Sequence, residues 1–225
     1  MRDYKIIYTS SYDRGLQHLL DMWPDIKKEV PEATLDIYYG WKLFVQFYKG
    51  NPASMAWKDK MDKLMTQDGV KDHDRISQEE LRKVYEDSAI LAYPTHFGEI
   101  NCISAIKAQA YGAIPIVINY AALRETVQFG IKIEGDIYDK EIKDNYKKWL
   151  IWALKNKEWQ DEVREPMMKW AQRFKWENIA DQWIEMFEGK ETKSFMEEPE
   201  ERKLIIVKET GGEQWINVHS ADQKK

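Results

Sequence analysis

The sequence predicts an α/β fold: a doubly wound parallel β-sheet with helices on both faces, Rossmann-like, over residues 1–188. Three observations carry this. Short apolar runs rich in β-branched residues recur, as at Ile6-Ile7-Tyr8 and Ile114-Pro115-Ile116-Val117-Ile118, and they are too short for helices. Between them lie longer stretches whose apolar residues repeat at three and four, the helical period. Polar turns rich in Gly, Pro, Ser and Asp separate the two kinds of segment.

In chain order, Lys5 to Thr9 (KIIYT) is the first strand. Ser10-Ser11-Tyr12-Asp13-Arg14-Gly15 is a polar turn, and Leu16, Leu19, Leu20, Trp23 and Ile26 then mark one face of a helix. Pro31-Glu32-Ala33 breaks that helix before the strand Leu35 to Tyr39, which Gly40 ends. Trp41 to Asp68 is a mostly helical insertion, and Val70 to Ile76 has room for a short, charged strand. Ser77-Gln78-Glu79-Glu80 has the capping-box form that opens a helix, with Leu81, Val84 and Tyr85 on its inner face.

Ala89 to Val117, AILAYPTHFGEINCISAIKAQAYGAIPIV, is the organising stretch. It reads as strand, polar loop from Thr95 to Asn101, helix ended by Gly112, and strand. After it come a short helix over Ala121 to Val127, a small strand at Ile131 to Ile133, and helices over Asp139 to Lys155, Trp159 to Phe174 and Trp176 to Phe187. From Glu188 the composition turns charged. Residues 189–225 read as a tail in which Lys203 to Lys208 and Gln214 to Val218 flank Gly211-Gly212, a spacing that permits a hairpin.

A strand–loop–helix–strand unit places its loop at the carboxyl end of the sheet, beside a helix N-terminus. The candidate chemistry therefore sits at His96, Gly98, Glu99 and Asn101, with the backbone N–H groups of Asn101, Cys102 and Ile103 offered to a phosphate. His96 is either a proton carrier or a polar loop group. Cys102 is either a thiol activated by the helix start or a small packing residue. No G-x-G-x-x-G follows the first strand, so a dinucleotide reading is poorly supported. Four histidines and one cysteine are scattered without metal-ligand spacing, so no metal site is expected.

These residues also carry a resemblance. Glu99, the seven residues to Lys107, and Ala108-Gln109-Ala110-Tyr111-Gly112-Ala113-Ile114-Pro115 are similar to the signature of retaining, nucleotide-sugar-dependent glycosyltransferases of the GT-B fold, family 4. That signature has a Glu, seven residues, a second Glu and Ala-x-Ala-x-Gly-x-Pro. Arg14-Gly15, Leu19-Leu20, Pro31-Glu32-Ala33-Thr34-Leu35 and the Ser77 segment resemble the same family's carboxyl-terminal, donor-binding domain. The resemblance spans about residues 4 to 188 in order and spacing.

It implies transfer of a sugar from a nucleotide diphosphate sugar to an unknown acceptor, with this chain as the donor-binding half and an amino-terminal acceptor domain missing from it. It implies that Arg14, in the turn with Ser11, contacts the diphosphate, and that Glu99 holds sugar hydroxyls. Gly40, Trp41 and Arg75 are implied near the base. The last helices are implied to cross back towards the partner domain. No cofactor or metal is implied. Lys107 stands where the family has its second, ribose-binding Glu, and is read either as diphosphate-directed or as a solvated helix lysine. A non-catalytic nucleotide-sugar-binding module and a nucleotide-sugar epimerase are the alternatives; no phosphorylase cofactor site is visible.

Composition narrows the rest. With 43% hydrophobic and 32% charged residues the chain reads as an ordinary globular protein, and its net charge of −5 gives nucleic acid no electrostatic footprint. No apolar run approaches the ~18 residues of a membrane span, and the N-terminus enters a strand without a signal-peptide pattern. The single cysteine fits a reducing compartment. The expected location is cytoplasmic.

Overall fold

The computed structural model describes residues 2–190, 199, 201–208 and 213–219, with backbone alone for 201–202 and 213–219. Its centre is an eight-stranded sheet in the order β3-β2-β1-β4-β5-β6-β7-β8. These are β1 Lys5–Tyr8, β2 Thr34–Ile37, β3 Val70–Asp72, β4 Ile90–Tyr93, β5 Ile114–Ile118, β6 Gly130–Ile133, β7 Glu201–Val207 and β8 Glu213–His219. β1 to β7 pair in parallel, and β8 closes the edge antiparallel to β7.

Strand order runs one way from β1 to β3 and the other way from β4 to β7. Because each crossover is right-handed, the reversal sends helices to opposite faces and leaves a crevice between the carboxyl ends of β1 and β4. On one face, α1 (Leu16–Glu29) packs against α3 (Pro52–Leu64) and α7 (Lys140–Lys155). On the other, α5 (Ile103–Tyr111) packs against α4 (Gln78–Glu86) and α8 (Lys157–Ala171). Short α2 (Lys42–Tyr48) and α6 (Leu123–Thr126) sit in the connections, and α9 (Trp176–Phe187) ends the helical series.

The central strands are apolar on both faces because both faces are covered: Ile6, Ile7, Leu91, Ile114, Ile116 and Val117 are at most 1% exposed. Two prolines that ought to break this pattern have local answers. Pro24 lies inside α1 and cannot bond the Leu20 carbonyl one turn back; Gln67 Nε2 donates to that carbonyl at 3.0 Å instead. Pro115 lies in an interior strand. Ile114 N donates towards β4, to Ala89 O, so the alternating next nitrogen faces β6, whose pairing starts only at Ile116. No ladder bond is lost.

The predicted strands and helices of residues 5–187 are all present. The end of the chain differs from its reading as a detached tail. The expected hairpin is β7 paired with β8, and β7 lies along β6 from Leu204 beside Gly130 to Val207 beside Ile133. Leu204, Ile205 and Val207 are nearly fully buried, so this short apolar run belongs to the sheet. The Gly211-Gly212 turn itself lies outside the described residues. α9 buries none of its residues and leaves Trp176 (81%), Trp183 (56%) and Phe187 (75%) exposed.

Candidate functional site

The crevice is built from two turns. The β1–α1 turn, residues 9–15, passes directly beneath the end of β4. Gly15 has φ 113°, and a Cβ there would stand 2.3 Å from the Pro94 carbonyl oxygen. Only glycine tolerates both the left-handed backbone and that approach. The second turn is the β4–α5 loop, whose Glu99 amide donates to Phe97 O while Glu99 O accepts from Ala122 N. Ser104 Oγ, in the first turn of α5, donates to Thr9 O at 3.1 Å and ties the two turns together.

Arg14 and Glu99 meet there, Nη1 to Oε1 at 3.2 Å. Glu99 keeps only 10% of its side chain exposed, and Arg14 33%. Tyr93, the last residue of β4, donates its hydroxyl to Glu99 Oε1 at 2.6 Å and shares a 3.1 Å bond with Ser10 Oγ. Burial first, and the Glu99 carboxylate second, push the Tyr93 hydroxyl far above its ordinary value. It therefore stays a donor and fixes the carboxylate's orientation. The Arg14 guanidinium lies over the Phe97 ring at 4.0 Å, a cation–π contact. Burial lowers the Arg14 pKa, but the Glu99 charge outweighs it and the net shift is upward.

The other expected site residues fall into place around this pair or away from it. Ser11 contributes through its backbone: its carbonyl accepts from Tyr8 Oη at 2.8 Å and from Arg14 N at 3.0 Å. Gly98 and Asn101 are exposed in the loop. No side chain caps α5, but the Ile103 N–H is already turned back to Asn101 O at 3.1 Å, so the three expected amides are not all available. Cys102 is 3% exposed and burial pushes its thiol up to about 12, which leaves it a packing residue rather than a nucleophile. Lys107 donates its ammonium to Gln78 Oε1 and so bridges α5 to the start of α4.

Gly40, Trp41 and Arg75 gather at the ends of β2 and β3. Gly40 N donates to Tyr12 Oη at 3.0 Å, and Tyr12 donates in turn to Asp72 Oδ1 at 2.6 Å. The Trp41 ring stands edge-on to Tyr12 at 4.6 Å, and Arg75 lies 6.0 Å over Tyr39. Since Tyr12 belongs to the same turn as Arg14, this cluster adjoins the ion pair. The His96 ring packs against His18 and Tyr138, at 5.6 and 5.0 Å. Among the described residues no group of three or more His, Cys, Asp or Glu is placed to hold a metal ion.

Sequence reasoning missed Tyr93, Phe97 and Tyr12. All three looked like core or loop aromatics; apart from the Tyr93 bond to Glu99, six residues on, their polar contacts come from elements far apart in the chain, to Ser10, Arg14 and Asp72. The signal available for Tyr93 was its place at the carboxyl end of a central strand, where a hydroxyl emerges into the crevice.

The sequence model of the family described as glycosyl transferases group 1 matches residues 2–174. The chain belongs to that family. No curated protein matches it significantly. Among solved structures it is similar to the pneumococcal O-GlcNAc transferase GtfA, determined with UDP and GlcNAc: TM-score 0.65 and 16% identity, covering 84% of this chain and 36% of that one. It is also similar to Anabaena Alr3699/HepE in complex with UDP and glucose, at TM-score 0.65 and 14% identity over 84% and 49% of the two chains. Sucrose-phosphate synthase from Thermosynechococcus elongatus gives 0.64 and 17% identity over 83% and 45%. These likenesses establish a Rossmann-like domain of the GT-B kind. The group 1 chain spans between about a third and a half of the length of these three structures.

Proposed function

We propose that the group 1 chain binds a nucleotide diphosphate sugar in the crevice between β1 and β4 and serves as the donor-binding half of a retaining family 4 glycosyltransferase. The observation that carries this is the Arg14–Glu99 pair, contributed by two βα turns at the point where strand order reverses. A guanidinium has five donors, so Arg14 can keep Glu99 and still take a phosphate oxygen. Glu99, oriented by Tyr93, is a fixed acceptor for sugar hydroxyls. As the bond between sugar and diphosphate breaks, charge gathers on the departing diphosphate, and Arg14 with the start of α5 stabilises it electrostatically. In this reading the diphosphate is held without a metal. The exposed Trp176, Trp183 and Phe187 of α9 would meet the lobe that carries the acceptor.

Calorimetric titration with uridine, guanosine and adenosine diphosphates tests the site. At least one binds, and Arg14→Ala weakens it by about tenfold or more, the ~1.4 kcal/mol scale of a charge-assisted contact. Absence of heat from all three at millimolar concentration, or no effect of the substitution, removes the proposal. A second reading, a binding module without catalysis, is favoured by one observation: Lys107 occupies the second carboxylate position and spends its ammonium on Gln78. Repeating the titrations with Lys107→Glu separates a structural bridge, which leaves the nucleotide ranking unchanged, from a recognition residue, which alters it.

A further inference from the structure

Helix α2 reads Lys-Leu-Phe-Val-Gln-Phe-Tyr, mostly apolar, and yet none of its residues is buried. Its inner side has packing partners: the Phe44 ring meets Trp41 and Trp57 at 5.3 Å each and Tyr48 at 4.8 Å. On its outer side Phe47 is 73% exposed and Tyr48 43%. We propose that this outer side lies on an anionic lipid bilayer, with its rings at the depth of the headgroups.

Charge selects that occupant. Lys42 and Lys49 flank the aromatic residues, and both are exposed. From Trp41 to Lys58 there is no Asp or Glu, in a chain whose net charge is −5. The remaining lysine of that stretch, Lys58, is already held by Asp62 at 2.5 Å and stands 5.0 Å over the Trp41 ring. Aromatic rings between exposed lysines match a bilayer surface. The rings settle at headgroup level, and the lysine stems reach outward to anionic lipid, each adding attraction near the surface.

A protein partner fits less well. Interface cores are depleted in lysine, and a helix of this length extends only ~10 Å, far short of the ~800 Å² per partner of a standard interface. Such a patch is also too short to enter the hydrocarbon core, so the chain lies on the membrane rather than in it. Since α2 follows the carboxyl end of β2, and Trp41 stands edge-on to Tyr12 at 4.6 Å, docking holds the rim of the crevice at the bilayer. The contact involves neither Arg14 nor Glu99 and does not rest on the donor reading.

The test is co-sedimentation of the full chain with vesicles of phosphatidylcholine alone or of phosphatidylcholine with phosphatidylserine, at low and high salt. Partitioning should be about tenfold or more stronger onto the serine lipid, and high salt should remove most of that gain. Phe47→Ser, and separately the double variant Lys42→Glu with Lys49→Glu, should each weaken partitioning by about fivefold or more. Both change exposed side chains, and an unchanged urea midpoint shows that each variant is folded. Equal partitioning onto the two vesicles, none at millimolar lipid, or folded variants that bind as well as the parent overturns the proposal. So does sedimentation equilibrium without lipid in which the parent self-associates and Phe47→Ser does not, since α2 would then meet a second copy of the chain.

Discussion

His18 shows how one residue's surroundings set its chemistry. It lies on α1 at 6% exposure, with Nδ1 buried and without a partner among the described residues. Burial lowers its pKa from 6.5 to about 4, aided by the charges of Lys143 and His96 and opposed by Asp21 and Asp136. The folded state therefore resists protonation that the unfolded chain accepts. Between those two values the unfolded state binds more protons, so stability falls as pH drops through that window, at up to ~1.4 kcal/mol per unit. Urea midpoints measured across it should decline with acid, and His18→Phe, which keeps the aromatic contacts to His96 and Tyr138, should flatten the slope. An unchanged slope would assign the acid sensitivity to other groups.

Among elements, β7 separates what residue patterns reveal from what pairing decides. Leu204-Ile205-Ile206-Val207 has strand character in the sequence, but Lys203, Lys208 and the acidic residues before it make the segment look detached. Lys203 in fact reaches Glu162 on α8 at 2.9 Å, and Lys208 reaches Glu134 after β6 at 3.2 Å. The charges are fasteners at the rim of a buried strand. Leu204→Ala should cost ~2–5 kcal/mol in urea unfolding, the scale of a core truncation, and Lys203→Ala under ~1 kcal/mol. A loss for Leu204→Ala no larger than the lysine's would mean β7 contributes nothing to the core.

The same contrast explains the site. Arg14, Gly15 and Glu99 were legible because turn residues and a helix start announce themselves locally. That Tyr93 would reach both Glu99, six residues on, and Ser10 in the β1–α1 turn, or that Lys107 would find Gln78, depends on how separate elements are folded together, which no local pattern encodes. His96 was left as either a proton carrier or a polar loop group; that its ring would pack against His18 on α1 is again a contact no local pattern announces.

At the scale of the whole molecule, the chain covers 36–49% of the three solved structures named above, and on the proposed donor-half reading it supplies one lobe of the enzyme. Catalysis of sugar transfer needs the acceptor held against the donor with water excluded. The isolated chain should then bind donor without transferring it. Incubation with nucleotide sugars, followed by chromatography for free diphosphate, should show no turnover above the uncatalysed rate. Turnover comparable with an ordinary enzyme's would mean that a single lobe suffices. Among the described residues no helix is long and apolar enough to cross a membrane.

β1 is first in the chain and yet central in the sheet, paired to β2 on one side and β4 on the other. During synthesis Ile6 emerges long before Ile90, the residue it must lie beside. At ~5–20 residues per second, the wait is on the order of five to fifteen seconds. Throughout it, the edge of β1 that will face β4 has no native partner, and its Ile6 and Ile7 are among the least soluble residues of the sheet. That open edge is a template for pairing with another nascent chain. The arrangement that forms the crevice thus sets the moment in the protein's life when it is most exposed to aggregation.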